Sequence, residues 1–156
     1  MKKILFVCTG NTCRSSMAEA LFRHSLSNAG LAGEYFASSA GTSAFPGMPA
    51  SYNAVQALKA VGVDLTQHSS SIIDNDMIDS AYLILTMTAS HKKRLLQMRP
   101  DAASKIHTLG EYCDAAGKAD IDDPFGGDID IYMNCRDEIS KHIEMLVKKL
   151  KEKGEH

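Results

Sequence analysis

This chain has no basic excess, no dense cysteine pattern and no long apolar run, and each deficit closes off a class of protein. With 17 Lys and Arg against 19 Asp and Glu, the formal net charge is -2. There is therefore no electrostatic case for nucleic acid or an anionic membrane surface as a partner. The four cysteines show neither the density of a disulfide framework nor metal-ligand spacing, and they fit a reducing compartment where thiols are catalytic or inert. No apolar stretch approaches the roughly 20 residues of a membrane span. The start, Met1-Lys2-Lys3 and then a short apolar run into a polar loop, is too short for a signal peptide. The expectation is a cytoplasmic protein. No repeat or low-complexity segment interrupts the 156 residues. That length suits one domain over 1–156, burying roughly two-thirds of its unfolded surface.

What is present is an alternation of strand and helix patterns. Ile4 to Val7 reads as a buried strand, and Met17, Ala18, Leu21, Phe22 and Leu26 recur at helical spacing after it. A second strand is predicted over Tyr35 to Ser39, and Ala54, Val55, Leu58 and Val61 mark a helix up to Gly62. Ala81 to Leu85 suits a strand covered on both faces, His91 to Met98 a helix that ends before Pro100, and Lys105 to Leu109 a last short strand. The final helix carries Tyr132, Ile139, Ile143, Leu146 and Leu150 on one face and lysines towards its end. Alternation of this kind predicts an α/β fold, a doubly wound sheet of four parallel strands with helices on both faces. Ligands bind such sheets outside the carboxyl ends of the strands.

At the first of those ends lies Cys8-Thr9-Gly10-Asn11-Thr12-Cys13-Arg14-Ser15. If the chain turns helical near Ser15, loop amides and a helix N-terminus converge on one point and favour an oxyanion there. The same positive environment favours the thiolate of Cys8. The planar fork of Arg14 can hold two phosphoryl oxygens and follow them as charge shifts. Phosphate chemistry follows, with Cys8 as nucleophile, Arg14 as clamp and residues Thr9 to Ser15 as the phosphate cradle. No metal or other cofactor is implied, because Arg14 and the amides already meet the anion's charge. A proton donor is still needed, and Asp122-Asp123-Pro124-Phe125-Gly126 offers two candidates, Asp123 first and Asp122 as its rival.

The loop resembles the low-molecular-weight protein tyrosine phosphatase signature V-C-x-G-N-x-C-R-S-P. Val7 to Ser15 match it and Ser16 stands in place of the proline. The likeness covers nearly the whole chain and extends to the aspartate-proline-aromatic loop at Asp123. It implies a three-layer fold with strand order 2-1-3-4, a cysteinyl-phosphate intermediate, phosphorylated protein side chains as substrates, and Asp123 as general acid. It also implies that Ser39 and His68 brace the Asn11 region, that Ser15 donates to the Cys8 sulfur, and that Cys13 can pair with Cys8 in a reversible protective disulfide. Cys113 and Cys135, far from the motif in sequence, read as inert.

Two positions bear on substrate. Phosphotyrosine-specific relatives carry a bulky aliphatic residue where this chain has Thr12 and tyrosine where it has Phe125. The combination C-T-G-N-T-C-R with D-P-F-G-G is similar to the bacterial protein arginine phosphatase branch of the family, which implies phosphoarginine as substrate with phosphotyrosine as the alternative. An arsenate reductase, which shares the loop, would recruit resolving cysteines after the third strand, and Thr86 to Met98 contains none.

Overall fold

The computed structural model describes residues 1–114, 118 and 120–154. Strand β1 (Lys2–Cys8) runs into helix α1 (Arg14–Asn28), which leads to β2 (Tyr35–Gly41) and α2 (Tyr52–Lys59). Helix α3 (Asn75–Ser80), β3 (Ala81–Thr86) and α4 (Ala89–Met98) follow; then a 3-10 turn (Pro100–Lys105), β4 (Ile106–Thr108), α5 (Leu109–Cys113) and α6 (Ile129–Gly154). The strands form one parallel sheet in the order β2-β1-β3-β4, as expected.

Because side chains alternate across a strand, β1 feeds two cores. Ile4, Phe6 and Cys8 join a cluster with Met17, Phe22, Leu58, Ile139, Ile143 and Leu146 from α1, α2 and α6. Leu5 and Val7 join Ile78, Leu95 and Ile106 from α3, α4 and β4 on the other face. A strand covered on both sides must be apolar throughout, which is why Ile4 to Val7 shows no polar alternation.

The helices expected from periodicity are all present, with ends shifted by a few residues. Strand β2 continues two residues past Ser39, and that extension matters. Gly41 pairs with Cys8, and a β-carbon there would lie 2.3 Å from the Thr9 carbonyl oxygen, so only glycine lets β2 approach the loop backbone this closely. Ser43 N then donates to that same oxygen at 3.0 Å. Helices α3 and α5 and the 3-10 turn were not expected, because five or six residues are too few to show a helical period. A capping signal does mark α5: Thr108 Oγ1 accepts from Glu111 N at 3.0 Å, the T-x-x-E arrangement that opens helices.

Candidate active site

The turn from β1 to α1 wraps residues Thr9 to Cys13 around the end of the sheet, beside the gap between β1 and β3 where the winding reverses. Helix α1 starts at Arg14, one residue earlier than expected. Cys13 is its N-cap and makes no side-chain cap bond, and no acidic residue occupies the first turn. The first amides of α1 thus have neither a side-chain cap nor an acidic neighbour, an arrangement that suits an anion.

Asn11 holds the loop. It is the one non-glycine residue with positive φ among the described residues, at 59°, a conformation that asparagine tolerates better than most side chains. It is fully buried, and its amide is used on every side. Nδ2 donates to Ser15 Oγ at 2.8 Å and to Ser39 Oγ at 2.9 Å, while Oδ1 accepts from Ser71 N at 2.9 Å. His68 Nε2 lies 2.6 Å from the Asn11 carbonyl oxygen and donates to it, since a carbonyl can only accept. Ser15, Ser39 and His68 thus all contact Asn11.

Ser15 Oγ accepts from Asn11 and lies 2.8 Å from the buried Cys8 sulfur; towards a thiolate it can only donate. The chain of donors extends outward as Ser39 Oγ donates to Glu19 Oε1 at 3.0 Å. Glu19 was not expected here; it sits on α1 and no sequence signal separates it from an ordinary helical carboxylate.

Arg14 is buried and aimed by two contacts. Its Nη1 donates to the Ile121 carbonyl at 2.8 Å, and its Nη2 stands 3.7 Å from Asp123 Oδ2. Asp123 is about half exposed, at 55%, and its Oδ1 accepts from Phe125 N at 3.0 Å, which curls the Asp-Pro-Phe turn over the loop. Asp122 points away: it pairs with Lys118 at 3.0 Å and its side chain is 83% exposed. Of the two aspartates, only Asp123 faces the loop. The cavity between them measures about 260 Å³ and is lined by Cys8 to Arg14 with Asp123 and Phe125. Thr12 and the Phe125 ring, 80% exposed, both border it.

Three neighbours were missed or misread from sequence. Tyr132, expected only as a core residue of α6, places its hydroxyl 3.3 Å from Cys13 Sγ, and burial together with that contact pushes its pKa up to about 12. Cys135, far from the motif in sequence and expected to be inert, is buried under the aspartate loop with Sγ 3.8 Å from the Asp122 carbonyl. Burial pushes its pKa up to about 12, so it stays a neutral thiol, near the site in space yet inert as a nucleophile. His91, on the first turn of α4, contacts Thr9 Oγ1 through Nε2 at 2.8 Å and Thr88 Oγ1 through Nδ1 at 2.9 Å. Burial first, and then the charge of Arg14, lower its pKa to about 4, so the imidazole is neutral at physiological pH. All four cysteines are free thiols. No group of three or more potential metal ligands occurs among the described residues, and none of their helices is long and apolar enough to cross a membrane.

Known proteins resemble this chain along nearly its whole length. The chain is 43% identical over 148 residues to the protein-arginine-phosphatase of Bacillus subtilis, covering 95% of this chain and 96% of that one. A solved structure of the YwlE arginine phosphatase, a cysteine-to-serine mutant with a phosphorylated active-site serine, superposes with a TM-score of 0.91 at 42% identity, covering 96% of this chain and 95% of the other. The arsenate reductase of Brevibacillus brevis is less similar, 36% identical over 154 residues, with 99% of this chain and 97% of that one covered. The profile of the low molecular weight phosphotyrosine protein phosphatases matches residues 3–156, and the chain belongs to that family.

Proposed function

We propose that this protein is a cytoplasmic, single-domain protein arginine phosphatase that removes the phosphoryl group from phosphoarginine side chains through a covalent intermediate on Cys8. The observation that carries the reading is the Asp123 carboxylate, which hangs over the nucleophile loop within 3.7 Å of one guanidinium, Arg14, with half of its surface still open to a second. A departing arginine supplies that second guanidinium, and a carboxylate pairs with it through two parallel hydrogen bonds.

In the first step the Cys8 sulfur attacks phosphorus in line and the P–N bond breaks as the S–P bond forms. The leaving guanidino nitrogen takes a proton from Asp123, and the resulting carboxylate then holds the guanidinium it has helped to release. Arg14 and the amides of Thr9 to Ser15 meet the charge on the equatorial oxygens. In the second step a water attacks phosphorus, Asp123 accepts its proton, and the S–P bond breaks to return the Cys8 thiolate and inorganic phosphate. The Ser15 hydroxyl, with its proton directed at the sulfur, stabilises the thiolate at both ends of the cycle. Cys13, buried against Tyr132 and Ser51, is the thiol available to trap an oxidised Cys8 as a disulfide.

Thr12 sets the substrate preference. Its hydroxyl gives the cavity a polar edge beside the reacting group, where a bulkier aliphatic side chain would favour a flat aromatic ring. The similarity to the named protein-arginine-phosphatase supports the same assignment. Phosphotyrosine is the second reading, favoured by the exposed Phe125 ring at the rim, which could stack on a phenyl group. Arsenate reduction is disfavoured, because α4 and the turn before it carry no cysteine.

The test is kcat/KM for one peptide bearing phosphoarginine against the same peptide bearing phosphotyrosine, in wild type and Thr12→Ile. The expected result is a preference for phosphoarginine that falls by about tenfold or more in Thr12→Ile, the scale of one pocket methyl or hydroxyl. A wild-type preference for phosphotyrosine would overturn the assignment.

A further inference from the structure

A second cleft opens beside the nucleophile loop, on its α4 side, with a volume of about 400 Å³. Thr9 lines both this cleft and the catalytic cavity, so the two are adjacent. Its other walls carry Thr42, Ser43, Ser90, Lys93 and Arg94, and no carboxylate lines it. Ser90, Lys93 and Arg94 fall at positions i, i+3 and i+4 of α4, so they share one helix face. Among the described residues neither Lys93 nor Arg94 has a hydrogen bond or ion pair. Nearby cations do: Lys92 on the same helix pairs with Glu111, and Arg99 just beyond it with Asp79 and Asp101. The start of α4 is not what remains unmet, since Asp120 Oδ1 already accepts from Ala89 N at 2.7 Å. The unmet groups are two cations and three hydroxyls around one polar hollow.

We propose that this cleft is a substrate subsite in which Lys93 and Arg94 bind an acidic side chain lying a few residues from the phosphorylated one. Chain geometry allows it, because an extended peptide advances about 3.3 Å per residue, so residues two or three places from the one seated over Cys8 lie about 7–10 Å away, within reach of a cleft that shares Thr9 with the cavity. His91 sits at the boundary, neutral and tied to Thr9 and Thr88. It keeps the cleft's charge on the two exposed cations rather than on its floor. The subsite depends on the protein phosphatase reading but not on which residue is phosphorylated.

The experiment compares kcat/KM for peptides that differ only in having glutamate or lysine two residues from the phosphorylated position, in wild type and in Lys93→Ala/Arg94→Ala. Each enzyme serves as its own control through the glutamate-to-lysine ratio, and both residues are exposed, so folding is preserved. The expected wild-type ratio is about fivefold or more, the sum of two solvent-exposed charge pairs. It should collapse towards one in the double variant and in high salt. Running the set with phosphoarginine and again with phosphotyrosine separates the two readings: turnover of the phosphotyrosine peptides alone, with the ratio intact, keeps the subsite and removes the arginine assignment. A wild-type ratio near one with both, or a ratio that survives Lys93→Ala/Arg94→Ala, overturns the subsite.

Discussion

Replacing Asn11 by alanine removes three hydrogen bonds, to Ser15, Ser39 and the Ser71 amide, and leaves a β-branchless but chiral residue at a φ of 59°. The conformational cost of that backbone for alanine is about 1 kcal/mol. Each lost hydrogen bond contributes about 1 kcal/mol net, for a total of about 4 kcal/mol against the roughly 5–15 kcal/mol that holds a domain together. At this chain length that corresponds to a fall in melting temperature on the order of 10 °C. Asn11→Gly isolates the backbone share, since glycine adopts positive φ freely, and should recover about 1 kcal/mol of the loss. Turnover should fall as well. Ser15 loses the donor that directs its hydrogen at Cys8 Sγ, and the loop loses the shape that aligns its amides, a misplacement worth on the order of 100-fold in kcat. Urea denaturation of the three proteins with kcat on the same preparations checks both numbers. An Asn11→Ala protein that melts within two or three degrees (roughly 1 kcal/mol) of wild type and keeps its kcat would refute the bracing role.

Two further outcomes concern the groups around the loop. Asp123→Asn should lower kcat by on the order of 100-fold or more with an unchanged melting temperature, whereas Asp122→Asn should have little effect, because Asp122 faces solvent and Lys118; equal losses in steady-state assays would contradict the assignment. His91 makes stability depend on pH. Its folded pKa of about 4 lies below the 6.5 of the unfolded chain, so the unfolded state binds a proton that the folded state refuses. Stability is fully present above pH 6.5 and declines as pH falls towards 4, by on the order of 3 kcal/mol. Urea unfolding at pH 7 and pH 5 should show about 2 kcal/mol of that loss in wild type and a flatter dependence in His91→Asn; parallel slopes would show that another group is responsible.

Much of this arrangement was legible because it is local. Cys8, Asn11, Arg14 and Ser15 lie within one turn of chain, and their roles follow from the strand before them and the helix after. The apolar run Ile4 to Val7 and the stripe Tyr132 to Leu150 declare their elements through burial on two faces and on one. Proximity created by the crossovers was not legible. His91 reaches Thr9 from 82 residues away and Tyr132 reaches Cys13 from 119, and no period or motif in either segment marks it as a neighbour of the loop. The nearness of Cys135 to the site was not legible for the same reason, since separation in sequence says nothing about two segments that a parallel sheet folds onto one end. Ser39 and His68 were placed by family resemblance alone. The hydrogen bonds at Asn11 supply the physical reason, a buried amide with every donor and acceptor in use.

The central claim is that the phosphoryl group passes through the sulfur of Cys8. Acid quenching of the enzyme during turnover of a phosphoarginine peptide, followed by mass-spectrometric mapping of the peptide containing Cys8 and Cys13, tests it directly. The expected result is a phosphoryl group on Cys8 and none on Cys13, formed in a burst that precedes steady release of phosphate, and no release of phosphate by Cys8→Ser. Full turnover with no phosphoryl group on Cys8, or undiminished phosphate release by Cys8→Ser, would contradict it.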